Sequence, residues 1–91
     1  MSVIIRIPTQ LRTLTGGANE VPAEGSTVGE VLKGLDASHP GMGDRLFDDD
    51  GRLRRFVNIF VADEDVRFLD GLDTSVADGQ TVSIIPAVAG G

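Results

Sequence analysis

Ser2-Val3-Ile4-Ile5-Arg6-Ile7-Pro8 near the start of the chain and Thr81-Val82-Ser83-Ile84-Ile85-Pro86 near its end are the stretches whose reading decides the fold. In the first, Val3, Ile5 and Ile7 alternate with Ser2, Ile4 and Arg6, the period of a strand with one buried face, and Pro8 ends it for want of an N–H. The second has similar β-branched content, follows an Asp78-Gly79 turn and closes at Pro86. Two Val- and Ile-rich strands at opposite ends of a sequence are expected side by side in the middle of one sheet.

The remaining segments arrange themselves around that pair. Thr15-Gly16-Gly17-Ala18-Asn19 is turn chemistry, and Glu20-Val21-Pro22-Ala23 after it returns as a second strand that Pro22 assigns to an edge. Ser26 or Thr27 occupies an N-cap position, Thr27 and Glu30 make a capping box, and Val28, Val31, Leu32 and Leu35 recur at helical spacing. One main helix is predicted from Val28 to Ala37, stopped by His39-Pro40-Gly41, with a short helical turn from Met42 to Phe47 ended by Asp48-Asp49-Asp50-Gly51. Arg55-Phe56-Val57-Asn58-Ile59-Phe60-Val61 is the most strand-like stretch, followed by an acidic hairpin tip and a short return strand through Val66-Arg67-Phe68. The predicted architecture is α+β: a mixed sheet of four to five strands with the helix packed on one face. With the terminal strands paired centrally, this is the ubiquitin-like β-grasp. Residues 1–86 form the domain and residues 87–91 a flexible tail.

Composition narrows the function classes. The 91 residues are too few for two domains, and the absence of cysteine removes disulfides, thiolate metal sites and a cysteine nucleophile. A net charge of −6 and the lack of Trp and Tyr argue against nucleic acid and anionic membranes and favour a partner with a basic docking surface. The first apolar run is too short for a signal sequence or a membrane span, so a cytoplasmic location is expected.

Phe56-Val57-Asn58-Ile59-Phe60-Val61 with Asp65-Val66, then Asp78-Gly79-Gln80-Thr81-Val82 and Ile85-Pro86-Ala87-Val88-Ala89-Gly90-Gly91, resemble the ThiS/MoaD sulfur-carrier family over the whole chain. The Arg55-to-Asn58 strand, the Asp63-to-Phe68 hairpin and the Pro86-to-Gly91 ending are most similar to its CysO-type actinobacterial branch. In a chain with 12 glycines a Gly-Gly pair alone carries little weight. Its terminal position after a Pro-apolar stretch makes the combination specific.

The resemblance implies a carrier rather than an enzyme. An ATP-dependent adenylating enzyme similar to ubiquitin activators (MoeB- or ThiF-like) would adenylate the Gly91 carboxylate, and a sulfur donor would convert it to a thiocarboxylate. A downstream synthase would then take the sulfur for cysteine or another sulfur-containing metabolite. ATP would bind the partner, since no Gly-rich phosphate loop follows a strand here, and the chain itself is expected to hold no cofactor and to be a monomer alone. Alternatives are a ubiquitin-like modifier joined through Gly91 to target lysines, a small MoaD-like subunit of molybdopterin synthase, and a non-covalent β-grasp module. The single lysine, Lys33, serves chain building on itself poorly.

The residues of the tail suit that chemistry. An α-carboxylate is ionised at neutral pH and attacks a phosphate once oriented beside it. The five residues Ala87, Val88, Ala89, Gly90 and Gly91 can span at most about 17 Å, and the two glycines present no Cβ to a narrow channel. Small Ala87, Val88 and Ala89 can add backbone hydrogen bonds in a partner's groove.

A docking face is expected beside the tail. If Val57, Ile59 and Val61 face the helix, then Phe56, Asn58, Phe60 and Ile85 lie on the other face and form it; the reverse register would make the phenylalanines core. Asp63, Glu64 and Asp65 read equally as a steering patch for a basic partner and as an ordinary hairpin tip. Asp48-Asp49-Asp50-Gly51 is not a calcium loop, because Leu46 and Val57 would occupy its first and twelfth positions. His39 reads as a surface loop residue, and Arg52, Arg54 and Arg55 read as local charge balance beside the acidic turn.

Overall fold

The computed structural model describes residues 2–55 and 57–86. β1 (Ser2–Arg6) and β5 (Thr81–Pro86) lie parallel at the centre of a five-stranded sheet of order β2-β1-β5-β3-β4, with β2 spanning Glu20–Glu24, β3 Val57–Val61 and β4 Glu64–Asp65. The other pairings are antiparallel. This is the β-grasp arrangement anticipated from the terminal strands. Asp78 and Gly79 complete the central pairing: the Ser2 N–H donates to Asp78 Oδ1 at 2.9 Å, and the Gly79 N–H to the Ser2 carbonyl at 2.8 Å. Pro22 sits on β2 at the sheet edge, where a missing donor costs nothing.

Helix α1 (Val28–Ser38) crosses one face and buries Val28, Val31, Leu32 and Leu35 against Val3, Ile5, Ile59, Val82 and Ile84. Its start keeps one half of the capping box read from the sequence, the Thr27 bond, while the Glu30 side chain reaches past the N-cap to Ser26. Thr27 Oγ1 accepts from the Glu30 N–H at 3.3 Å, while Glu30 Oε1 accepts from the Ser26 N–H at 2.9 Å and from Ser26 Oγ at 3.0 Å. Those bonds to Ser26, the backbone one foremost, hold the Glu30 carboxyl below its ordinary value. Helix α2 (Met42–Leu46) docks through Met42 and Leu46, and the Gly43 N–H donates to Asp36 Oδ1 at 2.7 Å, tying the two helices together.

Three segments differ from the sequence reading. The connection from β1 to β2 contains a 3-10 helix over Thr9–Thr15 that sends Leu11 into the core. The strand placed at Arg55–Val61 begins at Val57, because the Val57 N–H is taken by the Arg54 carbonyl in a turn (2.9 Å). The return strand placed at Val66–Phe68 is a 3-10 turn, and only Glu64–Asp65 pairs with β3. Asp65 redirects the chain there by accepting the Arg67 N–H on its own side chain at 2.9 Å, which removes that donor from any ladder.

Candidate functional site at the end of the fifth strand

β5 leads to Pro86, which pairs with Val57, so the first rung of β3 marks the point from which residues 87–91 continue. The tail residues Ala87, Val88, Ala89, Gly90 and Gly91, and Phe56 of the expected docking face, lie outside the described residues. The site is therefore built from what surrounds the Val57–Pro86 rung.

Strand alternation is as the first of the two registers required. Val57, Ile59 and Val61 are buried on the helix side, and Asn58 and Phe60, half-buried, point to the opposite face. Asn58 stands across from Ile85 and Phe60 across from Ser83, so all four share that face. Ile85 is 46% exposed while its neighbour Ile84 is 3% exposed, so successive residues of one strand divide between surface and core. On the other side of β5 an open cleft of about 350 Å³, lined among others by Arg6, Ile7, Pro8, Arg12, Ile85 and Pro86, runs alongside the strand's last residues. Arg12 Nε donates to the Ile7 carbonyl at 3.1 Å and shapes the cleft floor.

Arg67 is the residue the sequence reading missed. Its Nη1 donates to Asn58 Oδ1 at 2.8 Å and its Nη2 to the Val57 carbonyl at 2.8 Å, with longer bonds to the Arg55 and Arg54 carbonyls at 3.3 and 3.4 Å. One planar fork thus ties the 3-10 turn to the entry of β3, on the rung where Pro86 sits. Asp65 followed two residues on by a bonded N–H is an Asx turn, the one local signal that could have exposed this geometry.

The acidic hairpin tip lies elsewhere. Val61 pairs with Glu64 around Ala62 and Asp63, four residues along β3 from Val57, which is about 13 Å at strand rise. Asp48 Oδ1 accepts from the Asp50 and Arg52 N–H groups, so that loop is a self-bonded turn. Among the described residues no cluster of His, Asp or Glu could hold a metal ion. His39 caps α1, donating its N–H to the Leu35 carbonyl at 2.8 Å. A larger groove of about 530 Å³ follows α1 past Glu30, Lys33, Asp36, Phe47 and Leu72, and shares no lining residue with the end of β5. No helix among the described residues is long and apolar enough to cross a membrane.

A sequence profile of the ThiS family matches residues 5–91. The chain belongs to the ThiS family. Among other members, the sulfur carrier protein CysO of Mycobacterium tuberculosis is 54% identical over 93 aligned positions covering all of both chains. The fold agrees as well. The crystal structure of the Amycolatopsis orientalis BexX/CysO complex contains a chain that superimposes with a TM-score of 0.91 at 49% identity, covering 98% of this chain and 99% of that one. SAMP1 of Haloferax volcanii, a small archaeal modifier, superimposes with a TM-score of 0.85 at 28% identity over all of both chains. This ThiS-family member is thus a homologue of proteins named sulfur carriers and has the ubiquitin-like β-grasp they share.

Proposed function

We propose that this chain is a sulfur carrier whose Gly91 carboxylate is converted to a thiocarboxylate. The observation that carries the reading is the full-length 54% identity to CysO sulfur carriers, together with the Pro86-Ala87-Val88-Ala89-Gly90-Gly91 ending. In the first step a Gly91 carboxylate oxygen attacks the α-phosphate of ATP held by the adenylating partner. An O–P bond forms, pyrophosphate leaves, and the product is an acyl-adenylate. In the second step hydrosulfide attacks the acyl carbon, a C–S bond replaces the C–O bond, AMP departs, and the S–H proton passes to solvent. The thiocarboxylate then serves a sulfur-accepting synthase making cysteine or another sulfur-containing metabolite. ThiF- or MoeB-like enzymes are the expected activators.

The chain's own part is to present the carboxylate. Ile85, Asn58 and Phe60 form the face that seats on a partner while the tail enters its site, and strand alternation predicts Phe56 as a fourth member. The Arg67 fork keeps Asn58 and the β3 entry in place beside the last rung of β5.

A second reading, conjugation through Gly91 to a protein lysine, is supported by the similarity to small archaeal modifier proteins. Both readings share the adenylation step. The test is the intact mass of the full chain after incubation with the adenylating enzyme of the same cell, ATP and sulfide, beside a variant lacking Gly91. A gain equal to exchanging one oxygen for sulfur, absent from the shortened variant, is expected. An unchanged mass with an enzyme competent on another carrier overturns the carrier reading, and isopeptide-linked products in a lysate would favour the modifier.

A further inference from the structure

Docking through the sheet face gives no role to the cleft on the other side of β5. Its walls include Arg6, Arg12, Ile85 and Pro86 and no Asp or Glu, although the chain carries 14 acidic residues against 8 basic ones. Within the described residues Arg12 uses only its Nε, on the Ile7 carbonyl, and Arg6 has a single contact, 3.8 Å to an exposed Glu20. The strand beside the cleft is open as well. In the β1–β5 ladder Arg6 stands opposite Ser83, and the Ile4 N–H donates to the Gln80 carbonyl at 3.0 Å. A parallel ladder advances two residues per bond, so the donor for the Ile84 carbonyl would be the N–H of residue 8, and Pro8 has none. Ile7 has turned away, its N–H on the Asn19 carbonyl at 2.8 Å. From Ile84 to Pro86, β5 is held by β3 and turns toward the cleft an edge of carbonyls that β1 does not reach.

We propose that this cleft binds the chain's own C-terminal carboxylate, with Gly91 held on Arg12 and Arg6 until the adenylating partner draws it off. The described residues end at Pro86, itself a wall of the cleft, and the five residues that follow span at most about 17 Å. A reversal over the first two keeps about 10 Å for the return. Glycine at the last two positions enters a shallow cleft without a Cβ, and the N–H groups of residues 89–91 are the donors that the Ile84 edge lacks. The α-carboxylate is ionised at neutral pH and meets two guanidinium groups with no acidic neighbour in the wall. A thiocarboxylate carries the same charge, so the loaded chain uses the same site. Contact and activation exclude each other, because the carboxylate cannot lie on Arg12 and beside an α-phosphate at once. The contact therefore lowers the fraction of chain ready for the partner. The assignment rests on the proposed function only in taking Gly91 as the free carboxyl end.

NMR of the nitrogen-labelled full chain tests the contact with no partner present, read at the Gly90 and Gly91 amides beside a free peptide of residues 86–91. At low salt the two signals are expected away from the peptide's positions and to move onto them in about 0.5 M NaCl, where exposed charges are screened. Arg12→Ala and Arg6→Gln are expected to move them the same way. Arg6→Gln and the salt series carry the test if loss of the Arg12 bond to Ile7 unfolds the chain. With the adenylating enzyme, kcat/KM for ATP-dependent pyrophosphate release is expected to rise about 2–5-fold in each folded variant, the size of an exposed charge pair. Wild-type signals at the peptide's positions in low salt overturn the site, as do displaced signals that neither substitution nor salt moves. Release that falls in the variants assigns the arginines to a carboxylate on the partner and overturns it too. A wild-type chain that releases no pyrophosphate overturns the proposed function alone, and the amide signals still decide the contact.

Discussion

Arg67 holds Asn58 across the surface of the sheet, Nη1 to Oδ1 at 2.8 Å, while its second terminal nitrogen holds the Val57 carbonyl at the same distance. Two-point bonding of this kind needs a planar fork, and a lysine ammonium on a flexible stem does not reproduce it. Arg67→Ala is therefore expected to lower unfolding free energy by about 1–2 kcal/mol, discounted for solvent exposure from the usual range for charged hydrogen bonds. Arg67→Lys should recover less than half of that. Urea denaturation of the three proteins reads the difference, and full recovery by lysine would show that charge alone matters.

The β3–β4 turn carries left-handed backbone without glycine: Ala62 has φ 52° and Asp63 φ 70°. Two-residue hairpins of this kind favour Asn-Gly, since a Cβ in the left-handed region costs about 1 kcal/mol or more. Ala62→Asn combined with Asp63→Gly is expected to raise stability by about 1 kcal/mol, or about 4–8 °C in Tm for a domain of this size. Differential scanning calorimetry decides it. A lower Tm would mean that these two side chains contribute more than the turn strain costs.

Gly25 answers the same question in the opposite sense. A Cβ there would lie 2.8 Å from the Val31 nitrogen and 2.9 Å from Glu30 Cβ, with φ at 156°. Backbone and the first turn of α1 have no room to give, so Gly25→Ala should cost about 2–3 kcal/mol. Gly51→Ala, with nothing near its Cβ, bears only the cost of its φ of 80° and should lose less. Equal losses in chemical denaturation would place the effect in backbone conformation rather than in crowding.

What the sequence disclosed and what it concealed follow the range of the interactions. The central pairing was legible because Val3, Ile5, Val82 and Ile84 alternate without a polar interruption, and the helix start because Ser26, Thr27 and Glu30 cap it within a few residues. The alternation of β3 left two registers open, and the burial of Val57, Ile59 and Val61 selects the one with Val and Ile inward. Val66-Arg67-Phe68 has strand composition, yet Asp65 captures a local N–H and Arg67 reaches ten residues back to Val57, so long-range bonds override propensity. The exposed ring of Phe68 follows from that turn. Leu11 was hidden for a related reason, because the Thr9–Thr15 segment becomes helical only when its apolar residue has a core to enter.

The capping box makes a pH prediction. The Glu30 carboxyl is held below its ordinary value of 4.5 by the bonds from Ser26, so the folded state favours the ionised form. A group depressed on folding contributes stability that is present above the unfolded pKa and lost as pH falls through the folded one. Glu30→Gln keeps the capping reach without the charge. The variant should melt below wild type near neutral pH, and the two curves should converge as pH falls below 4.5 and through the depressed folded pKa of Glu30. Thermal scans across that range check it, and a constant gap would assign the effect to geometry instead of charge.

Ile84 and Ile85 separate folding from docking within one strand. Ile84 packs in the core at 3% exposure, and Ile85 stands beside Asn58 on the opposite face at 46%. Ile84→Ala should cost about 2–5 kcal/mol through lost burial and a cavity. Ile85→Ser removes half-exposed apolar surface and should cost about 1 kcal/mol or less, while weakening the complex with the adenylating enzyme by about 10-fold or more. Melting and binding measured on both variants give a crossed pattern if the outer face is where the partner sits. Wild-type affinity in Ile85→Ser would remove that face from the docking surface and leave recognition to the tail.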